Sequence, residues 1–436
     1  MNDKSKRKRR YKKKWNLKTI VLYGINCVVG SGIFLLPGSA YQLMGPSSLL
    51  AYLFVLILVM SVALCFAECG SMFEQSGGPY LYAREAFGDF FGYEVGVMKW
   101  IVSIIAWATM AVGFTTALSA IFPAAADPFV NKAIAIGIIT VLSIINLFGV
   151  NIMAYLNNIS TIAKMIPMVI FVIGGLFFLK GSNFTPFLKD GMNMNSISAA
   201  VITVFYAFTG FENVGVAAGD MENPKKNVPK ALIISMSIVS VIYFLIQFNC
   251  IGTLGTNLSG TSTPVADAMG TFLGNKGALL VTLGTLVSIA GLNICGSFNT
   301  PRCAQALADG GLLPKTLSKC NRRKVPYVAV FITGMLAVLL TLTGSFTELA
   351  AISVISRFSQ YIPTCLAVIA LRKKSDGKKD GYRVPLGYTF PVIAILASIW
   401  LIFHTEVYKL IAGLGAMVVV APIYFIMKKR KSAELS

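Results

Sequence analysis

Six charged side chains stand in stretches that are otherwise apolar: Glu68, Glu94, Lys99, Lys164, Glu212 and Arg357. A charge in such a run is costly, so each needs a partner or a function. Glu212 follows "FYAFTGF", where Thr209 and Gly210 interrupt the run. It reads either as a tether or gate at that interruption or as a hydrogen-bonded structural acid. Lys164 lies about two turns inside its segment, placed for a lysine whose stem follows apolar surface to an interface. Glu94 and Lys99, five residues apart, are expected to pair loosely. Glu68 closes its segment and reads as a loop anchor, and Arg357 receives no role.

Other chemistry has few candidates. The one histidine, His404, sits at a segment end. No HExxH and no phosphate-binding GxxxxGK[ST] pattern occurs. The eight cysteines form no CxxC pair and no Cys/His cluster, so no zinc site is expected. Cys27, Cys65, Cys69, Cys250, Cys295 and Cys365 read as small packing residues. Cys303 and Cys320 are expected as free thiols in a basic loop. No catalytic residue, metal or cofactor is expected.

The elements that carry these residues are apolar spans. The 436 residues are 56% hydrophobic and 13% charged, about half the charge of a soluble domain. Apolar runs of about 20 residues, each long enough to cross a bilayer, recur throughout. Twelve are expected, at about 17–42, 47–72, 90–120, 133–150, 155–180, 196–219, 231–254, 277–307, 327–345, 347–371, 387–404 and 406–427. An all-α polytopic membrane protein follows, with no cleaved signal after the basic cluster "KRKRRYKKK". Twelve spans put both termini on one side. Of the 38 Lys and Arg residues, 31 then fall on that side and 5 on the other. This asymmetry predicts cytoplasmic termini in a multi-pass protein of the cell membrane. It also accounts for the net charge of +20 without nucleic acid. Tyr11 and Trp15 beside the basic tail are expected to anchor it on anionic lipid.

Two spans are interrupted. The first contains "CVVGSGIFLLPG" (27–38) and the sixth "FYAFTGFENVG" (205–215). These are the leading members of two sets of five, and an odd-numbered set inverts the direction of the next. Interrupted helices at corresponding places in two halves point to a transporter's binding site. An unwound turn frees backbone groups, which is tolerated in a membrane only where they line a cavity. Freed N–H groups suit a carboxylate, and freed carbonyls suit an ammonium. Both together suit a zwitterionic α-amino acid.

Several stretches resemble the amino acid–polyamine–organocation superfamily. They are "GSGIFLLPG" (30–38), "FAECGSMFEQSGGPYLYAREAFG" (66–88), "FYAFTGFENVGVAAGDMENPKKNVPKAL" (205–232), "ALADGGLLP" (306–314) and "YRVPLGYTFP" (382–391). The resemblance spans about residues 17–427. It implies a 5+5 inverted-repeat fold, with helices 1 and 6 unwound at mid-membrane. The expected parts are a cytoplasmic tail (1–16), a first repeat (17–180), a second repeat (196–371), two appended helices (387–427) and a C-terminal tail (428–436).

Carried over by position, the N–H groups of Ser31, Gly32 and Ile33, after Gly30, would hold a substrate carboxylate. The carbonyls of Val28, Tyr206 and Thr209 would hold its amino group. Tyr206 or Phe208 would close over it as an aromatic gate. The resemblance also implies that Lys164 places its ammonium where sodium-coupled relatives bind sodium, on carbonyls near Gly30. The loop "FPAAADPFVN" lacks the cysteine that partner-linked animal exchangers use, so no disulfide-linked heavy subunit is expected. A monomer or weak homo-oligomer in membrane lipid is expected.

The implied activity is secondary active transport of amino acids by sodium-independent exchange or proton-coupled uptake. Small or medium neutral amino acids are expected, since Glu212 is the pocket's sole acid and "LNICGSFN" lines it with small residues. The alternatives are a cationic amino acid or polyamine exchanger, with aromatic faces holding the ammonium, and, more distantly, a transport-like nutrient sensor.

Overall fold

The structure, a computed structural model, describes residues 14–119, 121–343, 346–374 and 381–435. The basic cluster before residue 14, with Tyr11, lies outside the described residues. Among the described residues the chain is helical, with two isolated bridges, Trp15–Met221 and Cys320–Pro326, and no strand.

The first expected span is three helices: α1 (Leu17–Val28), α2 (Ser31–Leu35) and α3 (Pro37–Met44). Asn16 caps α1 by accepting from the Thr19 N–H. The α1 ladder stops at Val29, which is extended (φ −72°, ψ 105°), and Gly30 (φ −142°, ψ −148°) lies outside the helical region. Leu36 N donates to Gly32 O and Ala40 N to Leu36 O, both at 3.0 Å, so helical bonding carries on across the α2–α3 junction.

There follow α4 (Ser48–Gly70), α5 (Pro79–Phe87), α6 (Asp89–Leu118), α7 (Pro128–Asn146) and α8 (Val150–Gly175). The second interrupted span is α9 (Met194–Ala207) and α10 (Asn213–Val216). An Asn193/Ser196 capping box starts α9. The remainder is α11 (Pro224–Leu254), α12 (Pro264–Asp309), α13 (Tyr327–Thr341), α14 (Phe346–Lys374), α15 (Thr389–Phe403) and α16 (Val407–Leu435). Gly274 (φ 62°, ψ −161°) kinks α12.

Among the described residues, eight helical runs are long and apolar enough to cross a membrane. The helices Leu17–Val28, Met194–Ala207, Tyr327–Thr341 and Thr389–Phe403 are apolar but shorter. Twelve residues of α-helix rise about 18 Å against a hydrocarbon core of about 30 Å. Hence α1 and α9 each end partway across such a thickness, and their interruptions are the cause.

Burial separates the interior helices from the periphery. In α6 the most apolar stretch is 72% buried, whereas in α7 it is 11% buried. The apolar surface of α7 faces outward, as lipid contact requires. Helix α6 packs on α12 and α14, α12 on α8, α4 on α11, and α1 on α8 and α11.

Two expectations are corrected here. Trp15 is not a lipid anchor. Its backbone N–H donates to Asp220 O (3.0 Å) and its backbone carbonyl accepts from Glu222 N (2.9 Å). That pairing holds the indole inside, stacked 5.6 Å from Phe298. Cys303 is not in a loop, because α12 runs to Asp309 and buries it; Cys320 is exposed.

Candidate functional site

The two interruptions touch. A Cβ on Gly210 (φ 115°) would lie 2.0 Å from the carbonyl oxygen of Cys27. A Cβ on Gly32 would lie 2.7 Å from Cα of Ala207, and one on Gly30 would lie 1.8 Å from Leu292 Cδ1. Gly32 and Gly210 are required because the two backbones meet there, whereas Gly30 faces the Leu292 side chain of α12.

The carbonyls released at the end of α1 have found partners. Lys164 is fully buried in α8, and its ammonium donates to Asn26 O at 3.2 Å and also to Val29 O. Val29 O accepts the Ser288 hydroxyl (3.1 Å) as well, and Val28 O accepts the Tyr243 hydroxyl (3.2 Å). At the end of α9, Tyr206 O accepts the Thr209 N–H (3.1 Å) and its hydroxyl (2.8 Å).

Glu212 is buried beside the second interruption, where its two oxygens have different partners. Oε1 accepts from Lys99 Nζ at 3.3 Å and from Arg357 Nη1. Oε2 accepts from the Tyr361 hydroxyl and from the Gly210 N–H, both at 3.0 Å. Lys99 donates a further bond to Asn213 Oδ1 (2.9 Å). The expected Glu94–Lys99 pair does not form. Five residues on a helix are about 140° apart around the axis, so Lys99 turns to Glu212 and both Glu94 oxygens are buried without a partner.

A cavity of about 60 Å³ opens between the interruptions. Of the residues singled out from sequence, Val28, Gly30, Ser31, Gly32, Tyr206 and Thr209 line it. Ile33, Phe208, Lys164 and Glu212 do not. Phe208 instead packs into an aromatic group, 4.9 Å from Tyr243 and 6.4 Å from Tyr52. Ser31 and Tyr206 both point their hydroxyls at the Met110 sulfur, at 3.7 and 3.9 Å.

Lys99, Trp107, Met110, Asn299 and Arg357 complete the part of the wall that matters chemically. Sequence reasoning assigned no site role to any of them. For Lys99 and Arg357 the intramembrane charge was a usable signal; for Trp107, Met110 and Asn299 there was none. Away from the cavity, Glu68 takes a two-pronged bond from Arg372 (2.6 and 2.5 Å) and the Val384 N–H (2.7 Å). That arrangement joins α4 to the end of α14 and the chain entering α15.

A bundle of apolar helices, two of them interrupted and meeting at an interior cavity, defines a multi-pass membrane protein. The model of the amino acid permease family matches residues 16–427, and the chain belongs to that family. It is 34% identical to an uncharacterized transporter of Mycobacterium bovis, over 88% of this chain and 85% of the relative. It is 29% identical to the serine/threonine exchanger SteT of Bacillus subtilis, over 94% and 95%. It is 25% identical to the branched-chain amino acid permease BcaP of the same organism, over 95% and 92%.

Proposed function

We propose that this protein is a secondary active transporter of small or medium neutral amino acids, cycling by alternating access without sodium. The observation that carries the reading is the contact between the two helix interruptions, with a cavity at their junction. Twelve spans complete the picture, the four short apolar helices being counted with the eight long runs. The repeats are 17–180 and 196–371, both termini are cytoplasmic, and the membrane is the cell membrane.

The N–H groups of Ser31 and Gly32, in the cavity wall after Gly30, receive the substrate carboxylate, with that of Ile33 one position deeper in α2. The carbonyls of Val28, Tyr206 and Thr209 receive the amino group. That of Val28 already accepts one bond, and a carbonyl has a second lone pair for the ammonium; that of Tyr206 accepts both the N–H and the hydroxyl of Thr209, so the Thr209 hydroxyl turns away when the ammonium binds there. Tyr206, in the cavity wall, acts as the gate. The buried ammonium of Lys164 supports sodium independence. It occupies carbonyls of Asn26 and Val29 that a cation would otherwise need. Two cationic side chains facing one carboxylate at Glu212 weigh against a cationic substrate. Family membership and the substrates named for the two Bacillus relatives support amino acids as cargo.

The test is exchange in proteoliposomes loaded with unlabelled serine or valine, followed by uptake of radiolabelled neutral amino acids. Uptake is expected with potassium or sodium outside alike, and to depend on internal amino acid or on an inward proton gradient. Uptake that requires sodium, or that occurs for polyamines alone, would overturn the reading.

A further inference from the structure

Three residues of the cavity wall carry unmet hydrogen-bond donors. Trp107 Nε1, Asn299 Nδ2 and Arg357 Nε are each buried without a partner, and all three residues line the cavity. The residues are 1%, 1% and 5% exposed, respectively. The orphaned atoms of the lining are donors in every case among the described residues. The orientation of the Asn299 amide follows from Tyr23, whose hydroxyl donates to Asn299 Oδ1 at 2.6 Å. The Ser103, Thr209 and Thr300 hydroxyls already give their protons to backbone carbonyls at 2.7–2.8 Å. Lys99 and Arg357, two cations on one carboxylate, add positive charge to the same wall.

A buried donor left unpaired is destabilising, so an occupant that supplies acceptors is favoured over one that does not. We infer that Trp107, Asn299 and Arg357 are specificity residues that select substrates whose side chain carries an oxygen acceptor, as serine, threonine and asparagine do, over apolar isosteres. This rests on the amino acid transport reading and sharpens it. The relatives' named substrates divide between hydroxyl-bearing and branched apolar side chains, and the three unmet donors favour the former. An apolar wall separates a methyl from a hydroxyl weakly, whereas a wall built of donors separates them strongly.

The experiment uses the isosteric pair threonine and valine, with serine and alanine as a second pair. Thermal stabilisation of the purified protein and competition for exchange in proteoliposomes are both measured. Threonine is expected to bind at least tenfold more tightly than valine, and serine than alanine. Equal binding within each pair would mean that water alone meets the donors, and overturns the inference while leaving amino acid transport standing. Binding of no amino acid at all would instead overturn the transport reading. Trp107→Phe keeps the ring and removes its donor. It is expected to lower the threonine-to-valine ratio at least threefold, and an unchanged ratio overturns the part given to Trp107. The wild-type comparison stands even if the variant fails to fold.

Discussion

Replacing Glu212 by Gln tests the buried charge cluster most directly. The substitution keeps the size of the side chain and a carbonyl oxygen that can still accept from Gly210 N–H or Tyr361. It removes the negative charge that both Lys99 and Arg357 contact, at 2% and 6% exposure. The attraction lost to Lys99 alone, across 3.3 Å, is about 5 kcal/mol at an effective dielectric of about 20. Two buried cations would then face each other with no counter-charge. Leaving a buried charge unpaired costs about 3–5 kcal/mol. For a chain of this length that corresponds to a fall of Tm on the order of 5 °C, read by thermal unfolding in detergent. Lys99→Met added to Glu212→Gln should recover part of the loss, since it removes one of the stranded cations, and the double-mutant cycle measures that coupling. If Glu212→Gln unfolds within about 1 kcal/mol of wild type, the cluster is not an ion pair of consequence and the reasoning fails.

Three further outcomes are expected. Gly210→Ala should lower Tm and abolish exchange, because its Cβ would meet Cys27 O at 2.0 Å, whereas Gly137→Ala meets nothing within 4 Å and should stabilise by about 0.5–1 kcal/mol; equal effects would show that the interruptions do not touch. Lys164→Ala should cut exchange at least tenfold by releasing the carbonyls of Asn26 and Val29, and wild-type exchange rates in proteoliposomes would remove Lys164 from the cycle. Cys320 alone of the eight cysteines is exposed, so a membrane-impermeant maleimide should label it in inverted vesicles and not in intact cells. Labelling from outside would reverse the assigned orientation.

Much of this protein is legible in the chain itself. Membrane burial depends on local composition, so the apolar runs announce themselves one at a time. The interruptions at Gly30–Gly32 and Thr209–Gly210 were also legible, since glycine beside a hydroxyl residue weakens a helix wherever it stands. Length was less readable. Leu17–Val28 and Met194–Ala207 are too short to count as spans alone, and only the positions where the ladders stop reveal this.

Partnership lay beyond the sequence. Glu212 meets residues 113 and 145 positions away in the chain, and Glu68 meets one 304 away. Reading from neighbours gave Lys99 to Glu94, and the helical period sent it elsewhere. Trp107 and Asn299 carry no mark that separates them from any other buried tryptophan or asparagine. What the sequence determines here is which segments leave water and where their backbones open. Which side chains then face one another across the opening is decided by the packing of α1, α6, α9, α12 and α14, because contact across helices depends on rotation and depth that no single segment contains.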